Sequence, residues 1–300
     1  MRPILVILLG LMALQGHAAQ YELINMAGQS GQASAYPRGF NTPHDLVLGP
    51  NGNKLYVADT DNDLIQVLNA QSLKPTGTIG RGLLDSPHDL AFGPNGRLYV
   101  ADSHHDRILV FDVSKPLARH VGTVARDFAS PEGIAFDVHG RMLVSNAGSN
   151  TILVLSHQRP VVLKRLGGYG QDPGQFRRPH DIETSIDGRI FIADPGNHRI
   201  QIFSPNLTYM TSLDTGRGYR LRDPKYLAIH RNGWLAVANE GRHQVLLFDA
   251  ALNLIGQIGN GRPGRTRSQL NAPEGVAMHE QDLWIADSGN HRILHYRLTR

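Results

Sequence analysis

Residues 86–111 read SPHDLAFGPNGRLYVADSHHDRILVF. A proline and two polar residues lead into a short apolar strand, Leu90–Phe92. Pro94-Asn95-Gly96 supplies a turn, because proline presets one backbone angle and glycine accepts a left-handed one. A second apolar strand runs from Leu98 to Ala101, followed by a polar turn and a third strand from Ile108 to Phe111. No apolar residues recur at the three- and four-residue spacing that a helix needs.

Moving outward, the same pattern returns five more times, at Thr42, Ser130, Arg178, Asp223 and Ala272. The anchoring prolines are Pro43, Pro87, Pro131, Pro179, Pro224 and Pro273, spaced 44, 44, 48, 45 and 49 residues apart. A fourth strand precedes each next proline, as in Leu254–Ile258. Four short antiparallel strands in a repeat of about 40–45 residues is the signature of a propeller blade. Unit six lacks a fourth strand, since the chain reaches Arg300 soon after Ile293–Leu298. Tyr21–Gly28 is the strand left over, and pairing it with Ile293–Leu298 removes an open edge. The expected fold is all-β, a six-bladed β-propeller over residues 20–300 closed by its N-terminal strand.

The N-terminus and composition set the class. Arg2, the apolar run Ile4–Leu14 and the ending Gly16-His17-Ala18-Ala19 read as a signal peptide over residues 1–19. That run is 11 residues long, too short to span a membrane. A periplasmic or secreted protein without a membrane span is expected. There is no cysteine, which removes disulfides, thiol nucleophiles and thiolate metal sites. The formal charge is +4, or +3 without Arg2, too mild to announce a nucleic-acid partner. No P-loop, dinucleotide fingerprint or Gly-x-Ser-x-Gly elbow occurs. Asn206-Leu207-Thr208 fits a glycosylation sequon.

PGNHRIQIF at 195–203 and SGNHRILHY at 288–296 resemble NHL repeats, as does GQDPGQFRRPHDI at 170–182. The resemblance spans the chain after residue 19 and implies the propeller fold. It does not imply one activity, because such propellers serve binding as well as catalysis.

Features common to all units read as architecture. Asp59, Asp102, Asn146, Asp194, Asn239 and Asp287 end the second strands, where short side chains bond turn amides. Arg107, Arg199 and Arg292 start third strands and are expected to pair with such carboxylates. Differences between units carry the functional signal. His44, His88, Glu132, His180, Lys225 and Glu274 each follow an anchoring proline. They are expected to ring one mouth of the central channel, the place where inner strands meet. The connectors that enter the inner strands share that face, and they carry Arg178, Arg220, Arg265 and Arg267 among other arginines. A basic rim focuses field on an anion. The expected ligand is therefore an anionic small molecule, a glycan or a protein partner, contacted by His44, Glu132, Lys225, Tyr226 and those four arginines.

A second expectation is a metal. Alternate blades contribute His88, His180 and Glu274, two imidazoles and a carboxylate suited to zinc or calcium. This set resembles the peptidyl-α-hydroxyglycine α-amidating lyase family, in which histidines of Pro-His motifs hold zinc. Pro87-His88-Asp89 and Pro179-His180-Asp181 match that motif, and Pro273-Glu274-Gly275 departs from it. The resemblance implies a metal-dependent lyase or hydrolase as the alternative, with Tyr226, Tyr219 or Tyr36 as candidates for its tyrosine.

Overall fold

The structure is a computed structural model that describes residues 20–124, 128–156, 161–215 and 218–299. The leader expected at 1–19 lies outside them. The described strands form six four-stranded antiparallel sheets. Five follow chain order, from Pro43–Leu48 at the inner edge of blade 1 to Leu254–Ile258 at the outer edge of blade 5. Blade 6 takes three strands from Pro273–Thr299 and its outer strand from Gln20–Gly28. Tyr21 pairs with Leu298 and Gly28 with Arg292. Ring closure by the N-terminal strand is therefore as expected, and each end of the chain ties down the other. No helix among the described residues is long and apolar enough to cross a membrane.

Apolar alternation becomes packing between blades. The buried side chains fall into six clusters, one at each blade-to-blade interface. Trp284 illustrates the seam of blades 6 and 1: it is fully buried against Leu55 and Leu73, and its indole N–H donates to the Ala70 carbonyl at 2.9 Å. Burying each large side chain of this kind stabilises by about 1.5–3 kcal/mol.

Hydrogen bonds set the angle between blades. In every blade the Asp or Asn ending the second strand is fully buried. Its Oδ1 accepts the N–H two residues before the anchoring proline, at 2.6–2.8 Å: Asn41, Asp85, Ala129, Arg177, Arg222 and Asn271 are the donors. In blades 2, 4 and 6 the other carboxylate oxygen takes the Nε–H of Arg107, Arg199 or Arg292. A second contact crosses to the next blade. Asp63, Asp106, Asn150, His198, His243 and His291 are left-handed, with φ between 51° and 57°. Each side chain accepts the N–H just before the next proline, from Ser86, Ser130, Arg178, Asp223, Ala272 and Thr42 respectively. Those donors are left-handed too. The histidines of the Asn-His motifs are thus blade-to-blade acceptors through Nδ1.

Asp102→Ala should cost about 3–5 kcal/mol, because it strands the buried Arg107 contact and the Asp85 amide together. Asp102→Asn, which keeps the acceptor for the Asp85 amide but turns an amide N–H toward Arg107, should cost less, about 1.5–3 kcal/mol. Urea unfolding of the two variants checks the difference.

Candidate functional site

The six residues after the anchoring prolines converge at one mouth of the channel, and the structure shows how. In blades 1, 2, 3, 5 and 6 the inner strand pairs at its proline and then shifts register, which turns the intervening side chains toward the axis. In blade 4 the regular inner strand covers only Ile182–Thr184, and His180 is held just before it by its N–H to the Ala193 carbonyl at 3.0 Å. Gly133 and Gly275 lie where an added Cβ would collide with the backbone of His180–Asp181 and His44–Asp45, so only glycine lets those neighbours come in.

The ring divides into two halves. On one side His88, Glu132 and His180 place one potential ligand atom each within 4.8 Å of one another. His180 Nε2 lies 3.1 Å from Glu132 Oε2. His180 Nδ1 is buried and makes no hydrogen bond, and Glu132 Oε2 is buried and meets His180 Nε2 without hydrogen-bond geometry. On the other side Lys225 Nζ lies 3.0 Å from Glu240 and 3.6 Å from Glu274. His44 bridges the halves, with Nδ1 at 3.3 Å from His88 Nδ1 and 3.6 Å from Glu274. Glu274, expected beside the two histidines, sits with Lys225 and His44 instead. Glu132, expected as a ligand contact, occupies the place beside the histidines. Blade adjacency decides this: Glu132 in blade 3 stands between His88 and His180 around the ring.

Burial makes the imidazoles neutral. It lowers His44 to about 3, helped by the charge of Lys225. It also holds His88 and His180 well below the usual histidine value, with help from neighbouring imidazoles and Lys225. Burial raises Glu132 and Glu274, which Arg178 and Lys225 partly oppose. Lys225 is raised despite burial, because Glu274 and Glu240 flank it. Neutral imidazole is the form that binds metal.

Tyr226 forms the floor. It is fully buried, and its hydroxyl crosses from blade 5 to donate to the His88 carbonyl at 2.8 Å. Its ring meets His180 edge-on at 4.8 Å between centroids. Tyr219 packs on Phe248 instead, and Tyr36 lines an outer cleft beside Lys54. In the channel a cavity of ≈ 340 Å³ is lined by Asp45, Asp89, Asp181 and Glu183 above an apolar wall. Burial raises Asp45 to about 7 and Glu183 to about 8, and it lifts Asp89 and Asp181 well above the carboxylate range. Three of these carboxyls also accept the next blade's inner-strand N–H, from Leu90, Ile134 and Leu227.

Arg178 is the rim arginine that reaches the ring. Its Nη2 lies 3.4 Å from Glu132 Oε1, yet the side chain is 78% exposed, free to meet a ligand. Arg220, Arg265 and Arg267 are exposed on the connectors. No ring contact joins them among the described residues. Sequence reasoning missed Glu240, which lies in a turn rather than after a proline, and the strut made by Tyr226. A bulky aromatic one residue past the ring, where three blades carry Asp and two Gly, was the available signal for the latter.

These features define a six-bladed propeller with a polar, partly ionised site on its axis. Residues 40–68, 84–111, 176–203 and 270–296 match the NHL repeat, so four of the six blades carry NHL repeats. A 47-residue stretch is 38% identical to the human E3 ubiquitin-protein ligase TRIM32, covering 16% of this chain and 7% of that protein. The fold is similar to virginiamycin B lyase from Staphylococcus aureus, with TM-score 0.63, 12% identity, and coverage of 93% of this chain and 100% of that one. It is also similar to an auxiliary nutrient binding protein from Bacteroides thetaiotaomicron, with TM-score 0.69, 13% identity, and coverage of 94% and 78%.

The ring histidines should remain neutral well below pH 6.5. Their folded values lie under the ordinary one, so unfolding takes up protons there, and their stabilisation is complete above about 6.5 and is lost as pH falls toward 3. Glu132 and Glu274, being raised, act in the opposite sense. Imidazole NMR shifts separate the two effects: those of His44, His88 and His180 should not move between pH 8 and pH 5, as they would for a histidine of ordinary value near 6.5.

Proposed function

We propose that the axial ring is the active site of an exported, metal-dependent lyase that acts on an anionic substrate. The observation that carries this reading is the convergence of His88, Glu132 and His180, with two of their polar atoms buried and unbonded. A buried polar atom without a partner is costly unless something completes it. Two neutral imidazoles and a carboxylate suit zinc, with a fourth position left for substrate. Calcium needs six to eight oxygens, and this trio supplies too few. A zinc held here would act as a Lewis acid on a substrate oxygen.

The chain's own residues account for the rest. Arg178 projects over the mouth and would fix the substrate's anionic group by paired hydrogen bonds. Lys225, held by Glu240 and Glu274, presents an ammonium at the ring's edge that would donate a hydrogen bond to the substrate. His44 is the ring imidazole outside the trio, and it is the group placed to accept a proton. A negative substrate beside it would raise its basicity from the depressed value toward the working pH. Tyr226 closes the floor and keeps the His88 backbone in place. The likeness to virginiamycin B lyase supports a lyase over a hydrolase. The export reading rests on residues 1–19 and agrees with the nutrient-binding neighbour.

Zinc titration by calorimetry, with metal analysis of the recovered protein, tests the reading. One zinc per chain is expected. His88→Ala/His180→Ala should abolish binding, and Glu132→Gln should weaken it by at least about tenfold. Glu274→Gln should leave it in place. Wild-type protein that stays metal-free after dialysis against zinc would overturn the proposal.

A further inference from the structure

A second concave site lies on the seam between blades 5 and 6, apart from the axial ring. Its volume is ≈ 690 Å³, within the range of small-molecule sites. Its walls carry the Tyr21 and Tyr296 rings, the Gln257 and Asn260 amides, the Ser268 hydroxyl and the Arg267 guanidinium. No carboxylate lines it. The chemistry is therefore one positive charge, several neutral donors and acceptors, and aromatic surface.

The connector that presents Arg267 is held rigid from below. Arg292, almost fully buried, donates to the carbonyls of Arg265, Thr266 and Gln269 at 3.1, 2.9 and 2.8 Å. The Asn290 amide donates to the Gly264 carbonyl at 2.8 Å, and the Tyr296 hydroxyl to the Arg267 carbonyl at 3.1 Å. The Arg267 side chain is exposed on this fixed backbone. A ligand thus meets a guanidinium whose main chain is already ordered, which reduces the entropy lost on binding. Arg265 and Arg262, also exposed, extend the positive field along the same connector, which carries no acidic residue between 259 and 272.

We propose that this seam cleft binds an acidic saccharide, a sugar chain carrying carboxylates. The guanidinium takes a carboxylate by two parallel hydrogen bonds. The amides and the serine hydroxyl match sugar hydroxyls, which both donate and accept. The half-buried Tyr21 ring offers an apolar face to sugar C–H groups. The site does not depend on the axial proposal. It would hold substrate or anchor the protein to a polymer whether or not the ring binds metal.

Titration of the protein with trigalacturonate, followed by NMR, tests the inference. Saturable binding is expected, at least tenfold weaker for the trimethyl ester of the same trimer. Arg267→Glu should abolish it, and Asn260→Ala should weaken it severalfold. His88→Ala/His180→Ala should leave it unchanged. The inference falls if trigalacturonate does not bind, if the ester binds equally well, or if Arg267→Glu has no effect. It also falls if adenosine monophosphate binds the cleft in place of the uronate. Loss of binding in the His88→Ala/His180→Ala protein would move the saccharide to the axis and overturn the seam site, whereas loss of zinc alone bears only on the axial reading.

Discussion

One contact, repeated six times, fixes everything else: a side-chain acceptor on a left-handed residue takes the N–H just before the next blade's proline. Both residues of the pair hold positive φ, a conformation that costs a non-glycine residue about 1–2 kcal/mol. The hydrogen bond and the packing behind it offset that strain. Because the pair sits at the entry of each inner strand, it sets where the following residue arrives on the axis. A propeller could be held together by apolar packing alone, but the ring would then lack a defined geometry.

The site arises from unequal occupation of equal positions. Six equivalent residues point at the axis, and the chain fills them with three imidazoles, two carboxylates and one ammonium. Neighbours around the ring, rather than alternate blades, determine who touches whom. The acids therefore separate: Glu132 joins His88 and His180, and Glu274 joins Lys225 and His44. Burial keeps the imidazoles uncharged, while Lys225 keeps its charge because two carboxylates flank it. The result is two uncharged imidazoles and a carboxylate beside an ammonium braced by Glu240 and Glu274, arranged over the floor that Tyr226 lays across the channel.

Polar groups in the interior follow a division of labour. Aspartates and asparagines at the second-strand ends are satisfied by amides and arginines, and they serve the architecture. His198, His243 and His291 do the same between blades. His180 Nδ1 and Glu132 Oε2 are left unsatisfied on the axis. Such atoms also occur off the axis, at His230 and His295 among others, so it is their meeting with His88 in one cluster that marks the site.

The blade count, the closing strand Tyr21–Gly28 and the six axial positions were all legible in the sequence. They depend on periodicity and on the spacing of Pro43, Pro87, Pro131, Pro179, Pro224 and Pro273, which a linear string records. The structural role of Asp102 and its equivalents was legible too, because a residue type repeated in every unit answers a demand common to every unit. Which ring members meet was not legible. The grouping of Glu132 with His88 and His180 depends on side-chain direction after a register shift. The bond from Tyr226 to His88 joins opposite blades, residues 138 positions apart. The pairing of Lys225 with Glu240 joins a ring residue to a turn. Periodicity places residues at equal angles around an axis; only the closed ring, with its packing and burial, decides which of them lie within bonding distance and which keep their charge.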